Sequence, residues 1–389
     1  MKRLILAAAC ALLALPLAAQ QQPVKVGVIA PFTGPFADYG RQFEGGIRAW
    51  QKLNGDTVAG RKVEIIYRDT GGPNPEIAKR HAQELVTRDK VDFLAGFGLT
   101  PEALAVADVA TEAKKPMIVM NAATSIVTTK SPYIARFSMT LPQISAPMGA
   151  WAAKNGIRKV YTLVSDYGPG IDSETAFRNA FTAAGGTIVD SVRVPLRNPE
   201  FAPFVQRIKD TKPEAVFVFV PAGEQGIAFM KSFAERGLAQ AGIKVIATGD
   251  ITDDHVIDAM GEPALGMITT FHYSAAHESP ENAAFLKAFA EVAADRGRPN
   301  FMAVGGFDGM AGIYEVVRKL GATIDGDKAM EVLKGYRTTS PRGPIAIDPA
   351  TRDIVQTVYV RRVEKRGANY YNVEFDRFAD VKDPGKAPK

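Results

Sequence analysis

Short apolar runs rich in β-branched residues alternate along the chain with amphipathic stretches that have the period of a helix. The first run is Val24–Phe32, and a helical pattern follows it from Ala37 to Leu53. Buried strands that alternate with helices predict βαβ units, in which helices cover both faces of a parallel sheet. This first series continues through elements predicted at Lys62–Asp69, Glu76–Arg88, Val91–Ala95, Pro101–Ala113 and Pro116–Met120.

A second series with the same alternation begins after Ser131 and Pro132. Two series in succession predict an α/β protein with two similar lobes. The remainder of the chain has too few strands for a third sheet, so we expect it to complete the two lobes. The elements predicted in these two parts are strands at Lys159–Val164, Thr187–Val194, Ala215–Val220, Lys244–Thr248, Gly343–Ile347 and Val355–Val363, and helices near Gly170–Ala184, Pro199–Lys209, Gly223–Gly237, Pro280–Arg296, Ala303–Leu320 and Lys328–Lys334.

The first residues have the pattern of a secretory signal peptide. Lys2 and Arg3 precede an apolar run, Leu4–Leu17, which the small residues Ala18 and Ala19 follow. This order of a cationic start, an apolar run and a small-residue site is typical of a cleaved signal. The run is shorter than the roughly 20 apolar residues that span a bilayer. We therefore predict a signal peptide over residues 1–19, cleavage after Ala19, and a soluble protein exported to the periplasm.

Composition and charge exclude several classes of protein. With 46% hydrophobic and 23% charged residues, the sequence of 389 residues is that of an ordinary globular protein. The net charge is only +5 and no block of like charges is present, so a nucleic-acid partner is not expected. The single cysteine, Cys10, lies inside the predicted signal, which excludes a disulfide framework and a cysteine zinc site.

The common catalytic motifs are absent from the sequence. It contains no G-x-S-x-G elbow, no Walker A loop and no H-E-x-x-H pair, and its four histidines are scattered. We therefore predict a binding protein rather than an enzyme, with no metal and no cofactor. A secreted enzyme on an α/β scaffold remains the alternative, and turnover of a bound ligand would reveal it.

The loops after the predicted strands are the candidate binding region, because ligands of open α/β sheets bind beyond the carboxyl ends of the strands. The loop FGLTPE opens a helix, with Thr100 as its expected N-cap, and the free amides there suit a carboxylate. An ordinary capped helix is the alternative interpretation. A second loop, Asn121–Ser125, offers hydroxyls and backbone amides, and a third, Asp166–Gly170, is not a dinucleotide fingerprint.

Six segments in order resemble the type I periplasmic binding proteins, and more closely the leucine/isoleucine/valine-binding branch that serves ABC importers. These segments are VKVGVIAPFTGPFADYG with the helix after it, AGFGLTPEALA, MNAATS, VSDYGPG and GDITDD, and the resemblance runs from Val24 to Asp380. It implies two Rossmann-like lobes joined by three crossing segments. We expect the crossings near Met139–Gln143, Phe271–Ala275 and Ile347–Arg352. The lobes then comprise residues 24–139 with 275–347, and 140–274 with 348–380, and residues 381–389 form a tail.

The resemblance also implies a ligand site. A ligand carboxylate would be held by hydroxyls and backbone groups of the first lobe, between two aromatic side chains, with an acid that takes the ammonium of an amino acid. Tyr39 as simple loop packing and Asp250 as a turn residue are the alternatives. The residues that match these roles are Thr100, Ala122, Ala123 and Thr124 for the carboxylate, Tyr39 and Tyr167 as the aromatics, and Asp250 as the acid.

The nature of the ligand stays open between two classes. Three longer stretches, VMNAATSIVTTKSPY, VSDYGPG and SPRGPIAIDPATRDIVQTVYVRRVEK, resemble binders of benzoate-type aromatic acids. The segment FVPAGEQ lacks the aromatic that some leucine binders have there. We therefore favour an aromatic carboxylate over a branched-chain amino acid. The resemblance further implies a monomer that delivers its ligand to the permease and ATPase of an ABC importer, with a sensor that presents its ligand to a membrane receptor as a lesser alternative.

Overall fold

The computed structural model describes residues 22–386, so the predicted signal peptide lies outside the described residues. The expected alternation of strands and helices is present in both series. The first series contains β1 (Val24–Ala30), α1 (Ala37–Asn54), β2 (Thr57–Val58), β3 (Arg61–Asp69), α2 (Pro75–Thr87), β4 (Phe93–Gly96), α3 (Thr100–Glu112), β5 (Met117–Val119) and β6 (Ile134–Arg136).

The remaining elements form the second series and the C-terminal part. The second series contains α4 (Leu141–Lys154), β7 (Lys159–Ser165), α5 (Gly168–Ala183), β8 (Thr187–Val194), α6 (Ala202–Thr211), β9 (Ala215–Phe219), α7 (Glu224–Glu235), β10 (Lys244–Thr248), α8 (Ile257–Met260) and β11 (Ile268–Phe271). The C-terminal part contains α9 (Pro280–Val292), α10 (Phe301–Leu320), α11 (Gly326–Leu333), β12 (Arg337–Ser340), β13 (Gly343–Ile347), β14 (Ile354–Arg366) and β15 (Asn369–Val381).

The strands build two sheets, one for each series. Within residues 22–386 the first sheet has six strands in the order β2-β3-β1-β4-β5-β6, and the second has nine, in the order β12-β13-β14-β11-β10-β9-β7-β8 with β15 beside β14. The central strands of both sheets pair in parallel, and β1, β4, β5 and β9 are almost wholly buried. These findings confirm the two-lobed α/β fold.

The C-terminal part returns to both lobes, as expected. Helices α9 and α10 pack against α1 of the first series, whereas β12 to β15 extend the second sheet. Strands β12 and β13 fall in the range 275–347, which the sequence assigned to the first lobe, yet they pair with each other and with β14. The residue ranges of the two lobes otherwise stay a prediction.

The first crossing is shorter and begins earlier than expected, and the third lies elsewhere in the chain. Residues 141–143 are the first turn of α4, where Thr140 and Gln143 form a capping box, so the first passage is confined to residues 137–140. Residues 348–353 form the turn of the β13–β14 hairpin, and the third passage instead joins α11 to β12. The sequence did not predict α4, because Pro142 and Pro147 obscure its helical pattern. The second passage follows β11, near the expected Phe271–Ala275.

Buried polar side chains tie the first passage to the C-terminal strands. The guanidinium of Arg342 donates to the carbonyls of Phe137 at 2.5 Å and Ser138 at 2.9 Å, and it pairs with Asp308 of α10 at 2.8 Å. Gln356 of β14 donates to the same Ser138 carbonyl at 3.0 Å. The backbone where the chain leaves the first sheet is therefore fixed by side chains from two other parts of the chain.

The described residues of the predicted tail, 381–386, pack against other parts of the protein. Strand β15 runs to Val381, and a 3₁₀ turn follows at Pro384–Lys386. The ammonium of Lys386 is buried against the Asp353 carboxylate and the Thr128 hydroxyl. The end of the second sheet thus reaches the short 3₁₀ segment that follows Thr124 in the first lobe.

A close approach of α1 to α10 yields a first testable prediction. A Cβ atom on Gly46 would overlap the backbone carbonyl of Ala303, and neither backbone can move without separating the two helices. We expect Gly46→Ala to lower the free energy of unfolding by about 1–3 kcal/mol, the usual cost of an overpacked core. Urea denaturation measures this difference. Arg41→Ala, on the exposed side of the same helix, is the control, and equal stabilities of the two variants would contradict the prediction.

Candidate ligand-binding site

A small closed cavity lies between the carboxyl ends of the strands of the two sheets. Its interatomic space is about 280 Å³, of which only about 10 Å³ has room for the centre of a water molecule. Five of the seven predicted site residues line it, whereas Ala122 and Thr124 do not. The lining residues are Tyr39, Gly98, Leu99, Thr100, Asn121, Ala123, Met139, Leu141, Tyr167, Pro169, Phe219, Pro221 and Asp250.

A pair of buried hydroxyls marks the first-lobe side of the cavity. The Thr100 and Thr124 oxygens lie 3.0 Å apart, and Thr124 therefore reaches the cavity through Thr100. Thr100 is the first residue of α3 and Leu99 is its N-cap, so the expected capping role of Thr100 is wrong. Its hydroxyl is turned to Thr124 instead of to the helix backbone. A hydroxyl pair at the positive end of a helix suits a carboxylate.

The two alanines of the second loop differ in what they offer. The Ala122 amide already donates to the Phe97 carbonyl at 2.9 Å, so it is not a free donor for a ligand carboxylate. Ala123 lines the cavity, and its carbonyl accepts from the Leu141 amide at 3.0 Å, which joins this loop to the start of α4. The structure thus assigns Ala122 to holding the loop and leaves Ala123 beside the ligand space.

The turn before α3 is strained and braced. Phe97 is buried with φ at +66°, a conformation that favours glycine. Its amide donates to the Ile29 carbonyl at 2.7 Å, and the Asn121 side-chain amide donates to the Gly98 carbonyl at 2.7 Å. These bonds hold the backbone on which Thr100 is mounted. The sequence analysis did not single out Asn121, although it lies in the loop that was examined.

Aromatic side chains form the walls of the cavity. Tyr39, at the first turn of α1, is buried, and its hydroxyl donates to the Ala222 carbonyl of the second lobe at 3.5 Å. Tyr167 stacks on Phe219, with ring centres 6.2 Å apart and planes within 18°. Burial raises the pKa of both tyrosines well above its usual value, so both remain neutral donors. Walls of this kind suit a flat apolar group.

Asp250 is the acid of the cavity. It lies two residues after β10, only 5% exposed, and its Oδ2 has no hydrogen-bond partner among the residues that the structure describes. Burial raises the pKa of Asp250 to about 7, and the nearby Asp253 carboxylate acts in the same direction. A buried acceptor without a partner is costly. Asp250 is therefore placed to receive a hydrogen bond from a ligand.

Glu102 is a second buried carboxyl, directly behind the hydroxyl pair. It accepts from the Leu99 amide at 3.2 Å and from the Thr70 hydroxyl at 2.5 Å, and it is fully buried. Burial raises the pKa of Glu102 to about 8, despite these two hydrogen bonds. This raised pKa favours the protonated, uncharged form of the side chain. The positive end of α3 is then not neutralised from inside the protein and remains available to a ligand carboxylate.

The loop that bears Thr124 is held by charged side chains outside the cavity. Arg136, wholly buried, donates to the carbonyls of Thr124 at 2.8 Å and Met139 at 3.2 Å, and its Nε lies 3.0 Å from the Asp353 carboxylate. From the second lobe, Asp172 accepts from the Ser125 amide at 2.9 Å. The loop that bears Thr124 is therefore held by contacts from both lobes.

Further contacts across the cleft show that the lobes are closed. Asp38 of α1 lies 3.3 Å from the His255 ring, and Arg197 donates to the Pro73 carbonyl at 3.0 Å. The Asp38 carboxylate raises the pKa of His255, so its protonated form favours this contact. Gly168 comes so close to Thr124 that a Cβ atom would lie 2.7 Å from its hydroxyl. A ligand can enter such a cavity only when the lobes separate.

Two further features bear on the site's chemistry. Among residues 22–386, no group of three His, Cys, Asp or Glu side chains is arranged to hold a metal ion. Over the same residues, no helix has both the length and the apolar character needed to cross a bilayer.

The chain belongs to the periplasmic binding protein family, whose model matches residues 23–368. It is 44% identical to Leu/Ile/Val-binding protein homolog 6 of Brucella melitensis, over 99% of both chains. A solute-binding protein of an ABC transporter from Rhodopseudomonas palustris BisB5, solved with 3,4-dihydroxybenzoic acid, is 54% identical, with a TM-score of 0.91 over 94% of this chain and 99% of that one. Another from R. palustris, solved with 4-hydroxybenzoate, is 44% identical, with a TM-score of 0.92 over the same shares.

The buried proton of Glu102 yields a prediction about stability and pH. A carboxyl whose pKa is raised on folding contributes stability below its unfolded pKa, near 4.5, and loses it as the pH rises toward about 8. We expect wild type to lose stability relative to Glu102→Gln over this range, by up to about 1.4 kcal/mol per pH unit. Urea denaturation at pH 5, 7 and 8.5 measures the difference. Glu112→Gln, at the exposed end of α3, is the control. A difference between wild type and Glu102→Gln that does not vary with pH would contradict the expectation.

Proposed function

We propose that this periplasmic binding protein captures a hydroxylated aromatic carboxylate between its lobes and delivers it, unchanged, to the permease and ATPase of an ABC importer. The main support for this proposal is the arrangement of polar and aromatic groups around the closed cavity. It has a hydroxyl pair at the first-lobe end, tyrosine and phenylalanine walls, and the unpartnered Asp250 oxygen on the second-lobe side. An aromatic acid with a ring hydroxyl offers an anion, a flat ring and a donor in the same order.

The ring hydroxyl resolves what would otherwise be a conflict of charge. Plain benzoate would bring a second negative charge close to the ionised form of Asp250, and like charges in a closed, water-poor space are unfavourable. A hydroxyl that donates to Asp250 turns this side chain from a source of repulsion into a partner. The aromatic acids bound by the two R. palustris proteins both carry such a hydroxyl.

Uptake of a branched-chain amino acid is the second candidate. The curated relatives that share 44% identity carry the name Leu/Ile/Val-binding protein homologs, and Asp250 is also placed to accept from an α-ammonium. The cavity walls of Tyr39, Tyr167 and Phe219 favour a flat ring over a branched aliphatic chain. Export to the periplasm and a monomeric state are part of this proposal. Both are consistent with either ligand.

Calorimetric titration of the purified protein with benzoate, 4-hydroxybenzoate, leucine and phenylalanine tests the proposed function. We expect 4-hydroxybenzoate to bind more tightly than benzoate, and leucine to bind weakly or not at all. Tight binding of leucine without binding of either aromatic acid would replace the proposal with the amino-acid candidate. Recovery of a chemically altered ligand after incubation would contradict a binding role and support an enzyme.

Asp250→Asn separates the two ligand classes by charge. The amide still accepts a hydrogen bond but loses its charge, so we expect 4-hydroxybenzoate to weaken by about 1 kcal/mol and benzoate to bind as well or better. An amino acid would lose about 3–5 kcal/mol, because its buried ammonium would lose its counter-ion. The same titrations measure these changes, with the exposed Asp108→Asn on α3 as the control. A loss of several kcal/mol for benzoate would show that Asp250 has a different role.

Thr124→Val tests the carboxylate end. The substitution preserves shape but removes the hydroxyl that pairs with Thr100, so the Thr100 hydroxyl beside an anionic ligand loses the partner that orients it. We expect affinity for 4-hydroxybenzoate to fall by about 1–3 kcal/mol and the stability of the ligand-free protein to change little. Titration and thermal denaturation measure the two effects. The exposed Thr182→Val on α5 is the matched control, and an unchanged affinity with a destabilised apo protein would make Thr124 a structural residue.

A further inference from the structure

Two of the residues that line the cavity each carry a buried acceptor without a partner among the described residues, and the proposed function uses only one of these acceptors. Asn121 is 7% exposed and lines the cavity, and its Oδ1 has no hydrogen-bond partner among the described residues. The orientation of its amide follows from its Nδ2, which donates to the Gly98 carbonyl at 2.7 Å. The oxygen is therefore the free end of this side chain, as Oδ2 is the free end of Asp250.

Hydrogen-bond accounting then constrains the ligand. A carboxylate brings only acceptors, and the Thr100 hydroxyl, which is paired with Thr124, can donate to one of them. One ring hydroxyl brings one donor, which Asp250 takes under the proposed function. The Asn121 oxygen would still be buried without a partner, and a polar atom in that state costs free energy on closure. A ligand with a second donor removes this cost.

We propose that Asn121 is a specificity-determining residue whose Oδ1 accepts a hydrogen bond from a second ring hydroxyl, so that the cavity selects dihydroxylated aromatic carboxylates over monohydroxylated ones. This inference rests on the proposed function. It names a narrower ligand class and a residue that the sequence analysis did not assign. The R. palustris BisB5 protein, 54% identical, was solved with a ligand of this class, 3,4-dihydroxybenzoic acid.

The two lobes would then form hydrogen bonds with different edges of the same ring. Asn121 belongs to the loop after β5 of the first lobe, next to the hydroxyl pair, whereas Asp250 follows β10 of the second lobe. A ring held by its carboxylate at Thr100 presents one hydroxyl to Asn121 before closure and the other to Asp250 when the second lobe arrives. The opposing role for Asn121 is purely structural, as a brace for the Gly98 carbonyl.

The test compares two ligands that differ by one donor. We expect wild type to bind 3,4-dihydroxybenzoate at least about fivefold more tightly than 4-hydroxy-3-methylbenzoate, whose methyl group has a similar size but cannot donate. Calorimetric titration gives the ratio of the two dissociation constants. A ratio near one in wild type overturns the proposal without any mutation. Binding of leucine with no aromatic acid bound would instead mean that the proposed function has failed.

Two substitutions distinguish the two roles of Asn121, as an acceptor for the ligand and as a donor that holds the Gly98 carbonyl. Asn121→Asp keeps Oδ1 and loses the donor to Gly98, so we expect it to weaken both anionic ligands and to preserve their ratio. Asn121→Leu removes the acceptor, and its ratio should fall to about one. An unchanged ratio in Asn121→Leu, or a ratio lost in Asn121→Asp, assigns Asn121 to the brace alone and overturns the proposal. If Asn121→Leu does not fold, the comparison of the two ligands in wild type decides.

Discussion

Closing two lobes over a polar cavity removes water from every polar atom inside it, and each of those atoms then needs a partner. This constraint accounts for most of the features around the cleft. The Thr100 and Thr124 hydroxyls pair with each other, and the Tyr39 hydroxyl donates across the cleft to the Ala222 carbonyl. The Asp250 and Asn121 oxygens have no partner among the described residues. These two unpaired acceptors would each be satisfied by a hydrogen-bond donor on a ligand.

Two buried carboxyl groups with raised pKa values determine the charge on the two sides of the site. Glu102, which accepts from the Leu99 amide at the start of α3, has its pKa raised to about 8, which favours its uncharged form. Asp250, on the opposite side, has its pKa raised to about 7, so its charge is finely balanced. Neutral Glu102 leaves the helix terminus free for an anion, and a donor from the ligand favours the charged form of Asp250. Environment, and not residue type, gives these two acids different roles.

Arginines and the C-terminal residues connect the cavity to the junction of the lobes. Arg136 holds the carbonyl of Thr124 and meets Asp353, while Arg342 holds the carbonyls where the chain leaves the first sheet. Lys386 adds its charge to Asp353 from the end of the chain. Buried charges of this kind are costly unless they are paired. Their pairing links the loop that bears Thr124 to the passages between the lobes through a continuous set of hydrogen bonds and ion pairs.

The sequence by itself determined the two α/β lobes and most element bounds, because strand periodicity is a local property, and its resemblance to the periplasmic binding proteins implied five of the residues that line the cavity. It did not determine helix α4, whose two prolines disguise it, or the hairpin at residues 348–353, which only strand pairing reveals. Nor did it indicate that the Ala122 amide is already used, or that Asn121 faces the cavity with a free oxygen. Hydrogen-bond partners and burial depend on residues far apart in the chain, so the tertiary structure alone decided which polar atoms are left for a ligand.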